Sequence, residues 1–388
     1  MCKRSRDPQL LRCTGLRYAG TEGAKNIVAD LTQKHSKLSI HHIGLDATAV
    51  VSVIKGLEAN RDRLSSSPSN TWGLEVLAMN GDGISDAGAK ALVVFAAGEQ
   101  KLRTLNLSSN AVELRLHVDT LIHSINASHL TTLDLSRNPN LIPSGVAKLF
   151  GALHAPHLVY LNLSSCGLGP TSAEPIAEYL RSRRSRDLRA LLLEENRFGL
   201  DGTRTIVDAL ELSNFTLLTL DLMVWALPGA AAAEHETQLH IAECERVTPL
   251  TDRNWQLAKR TRTAVLRCLP LARILLNAKP NSLCRIPTSC PTDTTGEFTP
   301  SFPFLGLPVE LQQHVVRHTS QDADALSHAQ FFRLVQHATF KKGGQRRMQT
   351  RSETKRVEEK SQSLQRDHIT VCEDFLHSKG LNKWESEV

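Results

Sequence analysis

Leucines recur in one template along the first part of the chain. The string L-x-x-L-x-L-x-x-(N/C) reads Leu102, Leu105, Leu107, Asn110; Leu130, Leu133, Leu135, Asn138; Leu158, Leu161, Leu163, Cys166; and Leu188, Leu191, Leu193, Asn196. Successive copies start 28, 28 and 30 residues apart. Weaker copies flank them at Leu74, Leu77, Met79, Asp82 and at Leu217, Leu220, Leu222, Trp225, with a more degenerate one at Ile40, Ile43, Leu45, Thr48. That makes seven, or eight if Leu10 to Tyr18 opens another. Each L-x-L alternation predicts a short strand with its leucines pointing inward. The Asn that follows predicts a turn in which its side chain bonds backbone groups left unpaired.

After each turn the apolar spacing changes to three and four, which predicts helices. Their inner faces are Ile84, Ala91, Leu92 and Phe95; Ile142, Val146, Leu149 and Leu153; Leu168, Ile176, Ala177 and Leu180; and Phe198, Ile206, Val207 and Leu210. Strands stack about 4.8 Å apart and helices about 10 Å apart, so a repeated strand–helix unit must curve with its strands inside. The expected fold is therefore α/β: a horseshoe of curved parallel sheet within and helices without, over residues 10–228. It requires Leu105, Leu133, Leu161 and Leu191 to lie on neighbouring paired strands.

Two phrases, LRTLNLSSN at 102–110 and ISDAGAKAL at 84–92, the latter echoed by GTEGAKNIV at 20–28, resemble the long leucine-rich repeats of the ribonuclease-inhibitor type. The resemblance spans residues 74–225 and implies a protein that binds another protein on its concave face. Residues alternating with the leucines line that face: Asn80, Asn106, Ser108, Asp134, Ser136, Tyr160, Asn162, Glu194 and Asp221 are the candidate contacts, with Tyr160 as aromatic anchor. From Val76 to Met223 this set is mostly uncharged and holds no histidine. Ribonuclease inhibitors are cysteine-rich and acidic, and this chain is neither, so the resemblance does not extend to binding a ribonuclease. The Ran GTPase-activating proteins share the repeat type and act on a small GTPase through a loop arginine. Arg137 and Arg197 stand near turns here, but no arginine matches an early repeat and the tail has the opposite sign.

Beyond Trp225 the repeats stop. An Ala-rich helix is expected within 229–247 to cover the open end of the solenoid, followed after Pro249 by a second helix to about Leu269 with Trp255, Ala258, Val265, Leu266 and Leu269 along one stripe, so that 229–280 forms a cap. The Pro-rich stretch 281–303 reads as linker. Residues 304–340 begin with Leu307, Pro308, Glu310, Leu311 and Val315, which resemble the L-P-x-E-L-x-x-x-(I/V) opening of an F-box. That resemblance covers about 15 residues and implies docking onto a Skp1-type adaptor, as in the substrate receptor of a ubiquitin ligase. Thr319 stands where a leucine is usual, a later tryptophan is missing, and the segment follows the repeats instead of preceding them. A second helix is expected over Ala325–Ala338, with Leu326, Ala329, Phe332, Leu334 and Val335 as its apolar residues. A basic tail at 341–366 and a short helix within 367–388 complete the reading.

Charge adds one point. The 46 Lys and Arg against 40 Asp and Glu leave the chain formally +6, and nine basic residues against three acidic ones place that whole excess in 341–366. Base-stacking aromatics are absent there, so nucleic acid is not the expected partner. No run approaches the ~20 apolar residues of a membrane span and no export signal opens the sequence, so the expectation is a reduced cytoplasmic or nuclear protein. Candidate chemistry is sparse. His235, Glu236 and His240 miss the spacing of a zinc helix, and no phosphate loop or nucleophile elbow occurs. Cys166 occupies a repeat's Asn position, where it serves structure, and Cys284 and Cys290 lack partners at metal spacing. The expected function is non-enzymatic protein binding without cofactor or metal, either as a ligase substrate receptor, as a GTPase activator of the Ran type, or as an assembly scaffold.

Overall fold

The computed structural model describes residues 7–64 except 33, 72–223, 231–277 and 308–339, together with 376, 380, 381, 383 and 384. The chain divides into two compact units, Met1–Asp252 and Arg253–Val388. The stretches 281–303 and 341–366, Trp225, Leu307, and Cys284 with Cys290, all singled out above, lie outside the described residues.

The first unit alternates strand and helix. Its strands are β1 (Leu10–Thr14), β2 (Lys37–His41), β3 (Val76–Asn80), β4 (Thr104–Asn106), β5 (Thr132–Asp134), β6 (Tyr160–Asn162), β7 (Ala190–Leu192) and β8 (Thr219–Asp221). The helices that follow them in turn are α1 (Gly20–Asp30), α2 (Ala47–Leu64), α3 (Asp86–Gly98), α4 (Val118–Ala127), α5 (Pro143–Ala152), α6 (Ala173–Arg181), α7 (Gly199–Ser213) and α8 (Ala231–Glu245). All eight strands form one parallel sheet in sequence order. A single column of leucines, Leu11, Leu38, Leu77, Leu105, Leu133, Leu161, Leu191 and Leu220, crosses it in unbroken register. From Leu38 onward that column is buried, and it forms one core with the inner faces of the helices. The result is an α/β leucine-rich-repeat horseshoe, opened by an eighth strand at Leu10–Thr14.

One register differs from the sequence reading. The degenerate copy at Ile40, Ile43, Leu45, Thr48 does not place a strand over 43–45; β2 pairs through Leu38 with Leu77 and Ile40 with Met79. Two apolar pairs five residues apart fit the template equally well, and only the neighbouring strands select the first.

The strands are short because each repeat turns at once. The residue before the Asn position has positive φ in six successive repeats: His42, Gly81, Ser109, Arg137, Ser165 and Glu195. A left-handed conformation costs a non-glycine residue about 1–2 kcal/mol, so something must hold it, and the Asn does. Asn138 donates to the carbonyls of Leu107 (3.1 Å) and Leu135 (2.8 Å), while its Oδ1 accepts from the Val112 N–H at 3.0 Å. Asn110 and Asn196 repeat the arrangement one and two turns away. Cys166 fills the slot with a thiol that donates to the Leu135 carbonyl at 3.2 Å, and burial pushes its pKa up to about 12, as expected of a structural cysteine. Gly81 has a separate reason to be glycine, since a Cβ there would lie 2.2 Å from the His42 ring.

At the end of the first unit α8 lies on α7. Arg246 reaches Asp208 at 2.9 Å, and also Glu211 and Glu243, while Arg204 reaches Glu243 at 3.1 Å. The next helix, α9, runs Val247–Asn277. Pro249 therefore sits in its first turn and does not interrupt it, because that turn's N–H groups have no helical acceptors to lose.

In the second unit the buried face of α9 consists of Asn254, Ala258, Thr261, Ala264, Val265 and Cys268. Trp255 and Leu266, expected on the apolar stripe, are exposed instead. The unit continues with α10 (Val309–His318) and α11 (His328–Thr339). A reciprocal cap starts α11: the Gln330 N–H donates to Ser327 Oγ (3.1 Å) and the Ser327 N–H to Gln330 Oε1 (3.2 Å). That cap sets the rotation of the helix, so Phe331 and Leu334 are buried and Phe332 is exposed. Thr261 Oγ1 donates to the Ala325 carbonyl at 2.9 Å, and Arg260 makes a two-pronged bond to Asp322. Leu376 and Leu381 complete the core of this unit with Val316, Leu326 and Leu334.

Candidate protein-interaction surface

Every second residue of the sheet faces away from the helices, and the parallel register arranges these residues in three rows. One row runs Lys37, Val76, Thr104, Thr132, Tyr160, Ala190, Thr219; the next runs Arg12, Ser39, Ala78, Asn106, Asp134, Asn162, Leu192, Asp221. His41 and Asn80 at the ends of β2 and β3, and Ser108, Ser136, Ser164, Glu194 and Met223 just beyond the later strands, form a third. The nine expected contact residues all lie on this concave side. Ser136 is nearly covered and the others are half-buried.

The middle row has a structural duty that its sequence pattern did not reveal. Asn106, Asp134, Asn162 and Asp221 each accept, through Oδ1, the N–H of the residue two positions on, at 2.9, 2.9, 2.9 and 3.1 Å. This bond ends the strand, and amide and carboxylate perform it equally well. Asn106 Nδ2 further donates to Asp134 Oδ2 at 3.1 Å.

Charge is distributed unevenly. Arg12, Lys37 and His41 lie on β1 and β2, the last two at positions that the misplaced register of β2 hid from the sequence reading. Lys37 is paired with Asp7 at 2.8 Å; His41 contacts Ser39 Oγ and is pushed below the usual histidine range by burial and by Arg12. The other end is acidic. Glu194 is raised above the ordinary carboxylate range by burial and then by Asp221 and Glu195, with the Ser164 hydroxyl acting the other way. Tyr160 is raised by burial and then by the charges of Asp134 and Glu194, with Asn162 acting the other way.

In the second unit, Pro308 caps α10 and Glu310 lies in the first turn. Leu311 is 49% and Val315 40% exposed, one turn apart, while Val316 is fully buried. Arg137 and Arg197 are exposed on the turns after β5 and β7. Among the described residues no group of His, Cys, Asp and Glu could hold a metal ion, and no helix is long and apolar enough to cross a membrane.

A family model described as Leucine Rich repeat matches residues 126–150 and 154–177. No curated protein matches the chain. Among solved structures, the tropomodulin C-terminal domain from Caenorhabditis elegans is similar at 15% identity, with a TM-score of 0.25, over 61% of this chain and 93% of that one. Rad7 and Elc1 from yeast, solved as a complex, provide a match at 11% identity and a TM-score of 0.22, over 55% of this chain and 76% of that one. The matched repeats, the leucine column and the sequential parallel sheet agree that residues 10–223 fold as leucine-rich repeats, an architecture suited to binding protein.

Proposed function

We propose that the chain is a non-enzymatic substrate receptor: the concave face holds a client protein, and α10 docks on a Skp1-type adaptor of a ubiquitin ligase. The observation that carries the second half is the pair Leu311 and Val315, two apolar side chains left exposed one turn apart on a helix that is anchored through Val316 in the core of its unit. Exposed apolar residues at helical spacing on a fixed helix are how one helix presents itself to a partner. Asn80, Asn106, Ser108, Asp134, Ser136, Tyr160, Asn162, Glu194 and Asp221 serve the client; Pro308, Glu310, Leu311 and Val315 serve the adaptor, together with Leu307.

Co-purification of the full chain with the adaptor tests this reading. The adaptor is retained by the native chain and lost with Leu311→Asp, which leaves the melting curve within about 0.5 kcal/mol because the side chain is half exposed. Thr132→Arg, in the middle of the concave face, has the reverse effect: the client is lost and the adaptor kept. An adaptor absent from every sample, or retained equally by Leu311→Asp, removes the receptor reading.

A further inference from the structure

On the concave face the middle-row residues end their strands with a side-chain oxygen, and Asn106 and Asn162 show that a neutral amide suffices. Asp134 uses its second oxygen as well, for the Asn106 amide, but the negative charge of Asp221 is surplus to the fold. Glu194 adds a second such charge where the three preceding repeats have Ser108, Ser136 and Ser164. No lysine or arginine among the described residues forms an ion pair with Asp134, Glu194 or Asp221, unlike Glu243, which Arg204 and Arg246 neutralise. Like charges grouped without a cation repel one another and destabilise the free protein. They are retained at a net cost unless a cation arrives.

Two further features describe that cation. The first is apolar: Tyr160 on β6, Leu192 on β7 and the 60% exposed Met223 just after β8 share that end of the face with the carboxylates. Arginine and lysine carry an aliphatic stem under a charged head, and apolar side chains on the same face as carboxylates suit both parts. The second is Ser164. Its residue is 5% exposed, and its Oγ, beside Glu194, is buried with no hydrogen-bond partner of ordinary geometry. An oxygen of this kind can accept a hydrogen bond from a guanidinium or ammonium N–H.

We infer that Tyr160, Ser164, Glu194 and Asp221, on β6 to β8 and the turns that follow them, form a subsite for an arginine or lysine side chain projecting from the client polypeptide. This deepens the concave-face reading and rests on it. Arg12, at the far end of the same face, repels such a segment and so favours one direction for the client.

The test is fluorescence anisotropy of the full chain with a labelled peptide of Arg-Gly-Ser repeats at low salt. The peptide binds; the double substitution Glu194→Gln with Asp221→Asn weakens it about tenfold or more, in keeping with the loss of close charge pairs, and Tyr160→Leu weakens it about fivefold, the size of an exposed cation–π contact. Arg12→Gln leaves the affinity unchanged or tightens it. The carboxylate substitutions are isosteric and preserve the strand-ending bond, so an unchanged melting temperature keeps the comparison interpretable. Equal binding by native chain and double variant, or equal binding of a Glu-Gly-Ser peptide, overturns the subsite. Binding that appears only when the nine basic residues of 341–366 are changed to glutamine overturns the client as occupant in favour of that segment. Loss of the client with Thr132→Arg alongside its full retention by the Glu194 and Asp221 variant breaks this inference alone and leaves the receptor reading intact.

Discussion

The middle of the sheet, from β4 to β7, and its early flank, β2 and β3, share a backbone but differ at one position per repeat. In the middle, Asn110, Asn138 and Asn196 each bind backbone groups on both sides of the left-handed turn. On the flank the slot holds Ile43 after β2 and Asp82 after β3; Asp82 accepts the Ile43 N–H at 2.8 Å but carries no N–H to give, and its second oxygen is buried without a partner. The difference teaches that leucine spacing sets the strand while the polar slot locks the turn. Where the slot is right, the repeat is legible in sequence; where it is not, only pairing with a neighbour defines the register.

Removing the lock from the middle has the largest expected effect. Asn138→Ala leaves the Val112 N–H and the Leu107 and Leu135 carbonyls short of a buried partner and costs about 3 kcal/mol. Urea unfolding measures it, and a loss no greater than that of an exposed Asn→Ala control would show that the slot is incidental.

Asp86 gives the next effect. It accepts four backbone N–H groups, of Glu113, Leu114, Arg115 and Leu116, at 2.8, 3.0, 2.8 and 2.8 Å, and so fastens the loop before α4. Burial raises its pKa, but these four bonds outweigh it and hold it below the ordinary 3.8. A carboxylate with a lowered folded pKa contributes stability above its ordinary value and loses it as pH falls through the folded value. Asp86→Ala should therefore cost about 2 kcal/mol at neutral pH, with the cost shrinking below pH 3.8. Melting temperatures across the acid range show whether it does.

Asp82 has the opposite sign and the smallest effect. Burial raises it above 3.8, so its charge opposes folding as pH rises through the folded value. Asp82→Asn restores the pattern of the middle repeats and should stabilise by about 1 kcal/mol at neutral pH, with the gain fading toward acid. A variant no more stable than the native chain at pH 7 would separate the flank from the middle for some other reason.

Much of the site follows the same division. Asn106, Asp134, Tyr160, Asn162, Glu194 and Asp221 were legible because a period of two puts them opposite buried leucines. Lys37 and His41 were not, because the degenerate copy offered a second apolar pair at Ile43 and Leu45. In the helical unit the apolar residues were found but their rotation was not: Phe331 is buried where Phe332 was expected, since the Ser327–Gln330 cap fixes the start of α11. Trp255 and Leu266 were misjudged on hydrophobicity alone, while α9 packs through small residues such as Ala258, Ala264 and Cys268.

The sequence by itself determined the repeat, its strands and helices, and the side of the sheet that is open, because a period held over many turns leaves one way to bury the leucines. Only the tertiary structure decided the register of β2, the charge polarity of the open face and the facing of Leu311 and Val315. Each of these depends on which neighbour a residue meets, and a side chain's own hydrophobicity does not contain that information.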